Sequence, residues 1–180
     1  HAWRARSCAV LTGIGTVLQD DPQLNVRDID TPRQPSLVIV DSNLQTPLNA
    51  KLWHAEREVW IYCATEDTDR KAALEAKGVR VTCLPNAQGK VDLRALVQDL
   101  GQKAINEVHI EAGFKLNGSL LAANVVDELL IYLAPLLIGQ GLGMASLGAF
   151  ETLSQALKLK IQNVTTIGDD VRLIAHVKGR

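Results

Sequence analysis

Glu107-Val108-His109-Ile110-Glu111-Ala112-Gly113-Phe114-Lys115-Leu116-Asn117-Gly118-Ser119-Leu120-Leu121-Ala122-Ala123-Asn124 changes its period halfway along. Glu107, His109 and Glu111 alternate with Val108 and Ile110, the period of two that marks a strand. Beyond the turn at Ala112-Gly113, Leu116, Leu120 and Ala123 recur at helical spacing. Strand, glycine turn and helix form one unit of an α/β sheet. Glu111 is then expected at the carboxyl end of its strand, where open α/β sheets bind ligands. The backbone N–H groups that open the helix form an anion site at the positive end of its dipole. An ordinary strand–helix connection with a solvated Glu111 fits the same spacing equally well.

Upstream the same alternation recurs. Ala2 to Arg6 reads as the last turn of a helix, with basic residues suited to a C-terminus. Ser7–Leu11 is a short apolar strand, and Thr12-Gly13-Ile14-Gly15-Thr16 opens a helix that stops at Asp20-Asp21-Pro22. Gly13 and Gly15 lack the third glycine of a dinucleotide fingerprint. A proline-rich surface loop over residues 22–35 carries Leu24 and Arg27. Ser36–Val40 is an apolar run suited to a strand buried on both faces, ended by Asp41-Ser42. A short turn is expected at Lys51–His54, then a strand over Val59–Ala64. A helix capped by Asp67 runs to Lys77 and closes at Gly78. Val79–Leu84 is another strand, and Leu93, Leu96, Val97 and Leu100 give an amphipathic helix.

Downstream of Asn124 the pattern becomes antiparallel. Val126–Leu133 reads as a strand interrupted at Pro135. Gly139, Gly141, Gly143 and Gly148 mark a loop that is either a cofactor contact or a plain connection. A short helix is expected at Leu153–Leu157. Leu159–Ile167 and Val171–Val177 flank a Gly168-Asp169-Asp170 turn, a hairpin signal. The expectation is one domain over residues 1–180, with a mixed, mostly parallel sheet of six to eight strands, flanking helices and a C-terminal antiparallel hairpin.

Composition narrows the function classes. A chain of 180 residues buries roughly 70% of its unfolded surface. Its 47% apolar and 22% charged residues are those of a folded globular protein rather than a disordered one. The net charge is −1 with no basic stripe, so nucleic-acid binding has no electrostatic support. Cys8, Cys63 and Cys83 have no metal-ligand or disulfide-framework spacing. They are read as buried free thiols in a reducing compartment, which points to the cytoplasm. Leu129–Ile138, the longest apolar run, is too short to span a bilayer. The chain opens His1-Ala2-Trp3 without an initiator methionine, as expected of a piece of a longer polypeptide.

Several pieces occur together and in order: Arg4-Ala5-Arg6-Ser7, Thr16-Val17-Leu18-Gln19-Asp20-Asp21-Pro22, Leu24 with Arg27, Val40-Asp41-Ser42, Glu111-Ala112-Gly113 with Leu116, and Val126-Asp127-Glu128. In these the chain resembles the reductase domain of the bifunctional riboflavin-biosynthesis deaminase/reductase, a dihydrofolate-reductase-like fold. The resemblance runs from about residue 1 to the C-terminus. Thr16-Val17-Leu18 with Asp20-Asp21-Pro22 is its most specific part. Relative to that family the first central strand is missing, as is the N-terminal zinc deaminase domain expected in the parent chain.

The resemblance implies NADPH-dependent reduction of the ribose of 5-amino-6-(5-phosphoribosylamino)uracil to its ribityl form. It maps the cofactor to Thr16, Asp20, Ser42 and the segment Gly113, Phe114, Lys115, Leu116, Asn117, Gly118 and Ser119. It maps the substrate to Arg4, Leu24, Arg27 and Glu111, and implies no metal. Phe114-Lys115 departs from the family's usual small residue or proline, and Lys115 adds a charge for a cofactor phosphate. The chemistry suits these residue types. Arginine offers a rigid fork of donors to a phosphate, although Arg4 or Arg27 taken alone also reads as a solvated surface charge. Asp20 and Glu111 are candidates for steadying an open-chain sugar as acid–base groups. His54, His109 and His176 are read as structural. The implied partners are a small phosphoribosyl-pyrimidine and further copies of the chain as a homodimer or higher homo-oligomer, with no nucleic acid and no membrane. The alternative is a truncated or non-catalytic nucleotide-binding or assembly domain of the same fold. A folate reductase is the weaker third reading.

Overall fold

The computed structural model describes residues 1–178, in two compact units that divide between Gly113 and Phe114. The first unit runs α1 (Ala2–Arg6), β1 (Ala9–Gly13), α2 (Ile14–Asp20), β2 (Ser36–Val40), β3 (Val59–Cys63), α3 (Thr68–Glu75), β4 (Arg80–Cys83), α4 (Leu93–Gln102) and β5 (Val108–Ile110), with one 3₁₀ turn at Lys51–His54. Its strands form a five-stranded sheet in the order β4-β3-β2-β1-β5, every pair parallel.

The apolar runs explain why this sheet is covered on both faces. Leu37, Val38 and Ile39 of β2 and Ile61 and Tyr62 of β3 have no exposed surface, as parallel strands between helix layers require. Val10, Leu37, Ile39, Ile61, Cys63 and Val81 share one cluster with Val17, Leu24, Leu44, Leu52 and Leu74. Tyr62 points to the opposite face, and its hydroxyl donates to Asp99 of α4 at 2.5 Å. Burial and the Asp99 carboxylate together push the Tyr62 phenol up, so it remains a neutral donor. Asp67 caps α3 by accepting from the Arg70 N–H, and Asp92 caps α4 by accepting from the Arg94 and Ala95 N–H groups.

The second unit contains α5 (Phe114–Ala122), β6 (Glu128–Leu133), a 3₁₀ turn at Leu153–Gln155, β7 (Leu159–Ile167) and β8 (Asp170–Val177). Its three strands are antiparallel in the order β6-β8-β7, with a bulge between Ile161 and Asn163. The glycine-rich loop returns to α5. Ser146 N–H donates to the Phe114 carbonyl at 2.9 Å, and the Asn117 amide donates to Met144 O at 3.0 Å. A Cβ on Gly118 would run into the Ser146 backbone, so glycine is required there.

Apart from Leu153–Leu157, where the expected helix is a 3₁₀ turn at Leu153–Gln155, the expected elements are present with three differences. The eight strands are divided between two sheets instead of joining one mixed sheet, because pairing depends on long-range contacts that periodicity does not carry. The first strand lies at Ala9–Gly13, two residues later than Ser7–Leu11, with Ser7 bonded to the Trp3 carbonyl at the end of α1. The cysteines are not uniformly buried: Cys63 is, while Cys8 and Cys83 are half-exposed.

Candidate active site

The order of the first sheet locates the site. From β1 the chain steps outward through β2, β3 and β4, and β5 then returns to the other side of β1. The direction of winding therefore reverses between β1 and β5, and a crevice opens beyond the carboxyl ends of such a pair. A cleft of about 400 Å³ lies there, lined by Arg4, Thr16, Asp20, Pro22, Leu24, Ile110, Glu111, Ala112 and Gly113. That volume falls in the range of small-molecule sites.

Backbone and side-chain bonds to β1 fix the end of β5. Glu111 N–H donates to Leu11 O at 2.8 Å, and the Thr12 hydroxyl donates to Glu111 O at 2.8 Å. Glu111 is thus held at the root of the cleft, facing Arg4 on α1. Arg4 grips it with both arms of its fork, Nε to Oε1 at 2.5 Å and Nη2 to Oε2 at 2.8 Å, and donates through Nη1 to Asn25 O at 2.9 Å. Burial alone raises the Glu111 carboxyl, but the hydrogen bonds and charge of Arg4, with His109 adding, outweigh it and hold the group below its ordinary value. The same hydrogen bonds raise Arg4 against its own desolvation. Glu111 is therefore a carboxylate near neutral pH, and its pairing with Arg4 makes it an orienting group.

His109, read from the sequence as structural, and Arg57, which that reading passed over, complete the surroundings. His109 Nε2 lies 3.6 Å from Glu111 Oε1. Burial lowers the imidazole against the pull of Glu111, so it is a neutral neighbour. Arg57, just ahead of β3, reaches under the loop that carries Leu24. Its guanidinium donates to Leu24 O and Gln23 O at 2.5 Å each. Burial, then the nearby Arg4, lowers it to about 10, which leaves it charged at neutral pH. Leu24 is buried with a left-handed backbone, φ 52°, a conformation uncommon outside glycine. Arg57 is the clamp on that turn.

The structure thus brings Arg4, Thr16, Asp20, Leu24, Glu111 and Gly113 to one cleft. Arg27 stands off it, exposed, its side chain donating to Asn25 Oδ1 at 3.2 Å. Ser42 sits past the end of β2. Its hydroxyl accepts from Val91 N–H at 3.4 Å, and its carbonyl accepts from Ala64 N–H at 3.0 Å. Phe114, Lys115, Leu116, Asn117, Gly118 and Ser119 are the first residues of α5, in the second unit. Among the described residues no three His, Cys, Asp or Glu side chains gather as a metal site.

Residues 1–173 match the model of the RibD C-terminal domain. The chain is 36% identical to the riboflavin biosynthesis protein RibD of Escherichia coli strain K12, covering 98% of this chain and 50% of that protein. It is 31% identical to the 5-amino-6-(5-phosphoribosylamino)uracil reductase of Buchnera aphidicola subsp. Acyrthosiphon pisum, covering 98% of this chain and 89% of that protein. Among solved structures it superposes on Acinetobacter baumannii RibD with a TM-score of 0.85 at 35% identity, covering 98% of this chain and 49% of that one. The chain spans about half the length of the RibD proteins it matches. The fold is the dihydrofolate-reductase-like α/β architecture expected from the sequence.

Proposed function

Because the chain belongs to the RibD C-terminal domain family, we propose that residues 1–180 are one reductase domain that uses NADPH to reduce the ribose of 5-amino-6-(5-phosphoribosylamino)uracil to the ribityl chain in riboflavin biosynthesis. The observation that carries this reading is the single cleft at the β1/β5 switch point, which gathers six of the residues assigned to cofactor and substrate. The parent protein would carry a zinc deaminase domain and work in the cytoplasm. Among the described residues no helix is long and apolar enough to cross a membrane.

The residues fit a nicotinamide cofactor. Gly113, Ala112 and Thr16 offer a wall of small side chains with one hydroxyl, where an aromatic ring and its amide can approach the backbone. When bound, the cofactor supplies the hydride. Thr16, Asp20, Ser42 and Gly113 are assigned to it, and the segment that follows in sequence, Phe114–Ser119, offers the backbone N–H groups at the start of α5 for its phosphates. Arg4, Leu24, Arg27 and Glu111 are assigned to the substrate. Glu111, held by Arg4, orients sugar hydroxyls through its fixed charge, and Asp20, exposed at the end of α2, is free to move a proton.

NADPH titration by fluorescence, with turnover followed by loss of reduced-nicotinamide absorbance, tests the assignment. Wild-type turnover with cofactor binding retained but turnover reduced at least about 100-fold in both Asp20→Asn and Glu111→Gln supports it. Binding without turnover in the wild type would instead favour the non-catalytic nucleotide-binding module. The bidentate occupation of Glu111 by Arg4 is the observation on that side.

A further inference from the structure

Cys63 and Cys83 are 20 positions apart in sequence and directly opposite in the sheet, paired in register at the carboxyl ends of β3 and β4. Opposed residues on neighbouring strands project from the same face, about 4.8 Å apart along the hydrogen-bonding direction. That spacing lies inside the Cα separation a disulfide spans, roughly 4.4–6.8 Å. The sulfurs converge: Cys63 Sγ lies 3.4 Å and Cys83 Sγ 3.6 Å from the same acceptor, Thr65 O. Their accessibilities differ, since Cys63 is 1% exposed and Cys83 is half-exposed. Burial first, and then Cys83, push the Cys63 thiol up to about 11, so Cys63 stays a thiol near neutral pH. Cys8, ahead of β1, faces no cysteine: its neighbour Ala9 pairs with Ser36 and Val108.

We propose that Cys63 and Cys83 form a thiol–disulfide site, with Cys83 the entry thiol and Cys63 the resolving one, oxidised by small-molecule disulfides to a cross-strand bridge. The Cys83 thiolate attacks one sulfur of the small disulfide, breaking its S–S bond and releasing one thiolate, which takes a proton from water. Cys63 then gives its proton to solvent and attacks the Cys83 sulfur, expelling the second small thiol. The balance is two protein thiols oxidised to one disulfide and one small disulfide reduced to two thiols. The bridge pins the strand ends beside Ser42, since Ala64, next to Cys63, donates to the Ser42 carbonyl. The site goes beyond the reductase reading and stands without it.

The test is incubation of the full chain with oxidised glutathione, followed by free-thiol titration and peptide mapping without reduction. The expected result is loss of two of three thiols, a cross-linked peptide containing Cys63 and Cys83, and full reversal by dithiothreitol. Cys63→Ser should stop at glutathione held on Cys83, and Cys8→Ser should behave as the wild type. Circular dichroism confirms that each variant is folded. Retention of all three thiols, glutathione remaining on Cys83 of the wild type, or modification of Cys8 alone overturns the proposal.

Discussion

Arg4 and Glu111 stand 107 positions apart, and each acquires its meaning from the other. Removing the carboxylate charge in Glu111→Gln leaves the Arg4 fork half-paired in a site where its side chain is 17% exposed. Stability in urea is expected to fall by roughly 1–3 kcal/mol. The pair also sets an acid limit. Glu111 is depressed below its ordinary 4.5, so its contribution is complete above that value and is lost as pH falls through the lower folded one. His109 acts earlier in the same direction. Its folded value lies below the ordinary 6.5, so the unfolded chain binds a proton first and stability declines as pH drops below 6.5. Denaturation midpoints across this range should fall in the wild type and flatten in His109→Gln above pH 4.5. Arg57→Ala releases the Gln23 and Leu24 carbonyls. It should cost roughly 2–3 kcal/mol and, on the reductase reading, raise KM for the pyrimidine more than it lowers kcat. That Thr16, Asp20 and Glu111 would share one cleft was legible from the resemblance, because they stand in its motifs. Arg57 was not: Glu56-Arg57-Glu58 reads as a solvated charge run, and only the fold brings its guanidinium beneath carbonyls 33 and 34 positions upstream.

Elements whose cause is local were the legible ones. Ser36–Val40 was readable to the residue because an uninterrupted apolar run has no other place than between two helix layers. The turn at Lys51–His54 and the cap Asp67 were also readable, since each depends on neighbours within a few positions, whereas the cap Asp92 was shown by the structure. Asp92→Ala removes the acceptor for two N–H groups at the start of α4 and should cost about 1 kcal/mol, measured as a shift in the urea midpoint. Gly118 was quoted from the sequence as a cofactor contact, and the structure adds a packing reason for it. Its missing Cβ makes room for the Ser146 backbone. Gly118→Ala should therefore destabilise by roughly 1–3 kcal/mol through overpacking, even though alanine is the better helix former. A gain in stability would show that the loop around Ser146 yields at no cost. Leu153–Leu157 was expected as a short helix and is a 3₁₀ turn at Leu153–Gln155, too short for apolar spacing to distinguish the two.

At the scale of the molecule, the two compact units differ in how they treat their apolar residues. The first buries most of its large ones, whereas the second leaves Leu136, Leu137, Ile138, Leu142, Met144 and Leu153 more than half exposed, Leu137 fully so. Apolar residues scattered singly need no partner, but a cluster within one loop and its flanks is the usual mark of a contact surface. A net charge of −1 opposes self-association only weakly. If the expected homo-oligomer forms, a two-fold dimer in which this patch meets itself is the simplest arrangement that covers it. Sequence reading singled out the Leu129–Ile138 run, which holds Leu136, Leu137 and Ile138, but not Leu142, Met144 or Leu153, because which apolar residues remain uncovered is decided only when the strands have paired. Sedimentation equilibrium of the full chain should give a mass above that of one copy, which falls to a single copy in Leu137→Lys with the circular dichroism spectrum unchanged. A wild-type chain that sediments as one copy across the concentration series would mean that this surface serves a different partner.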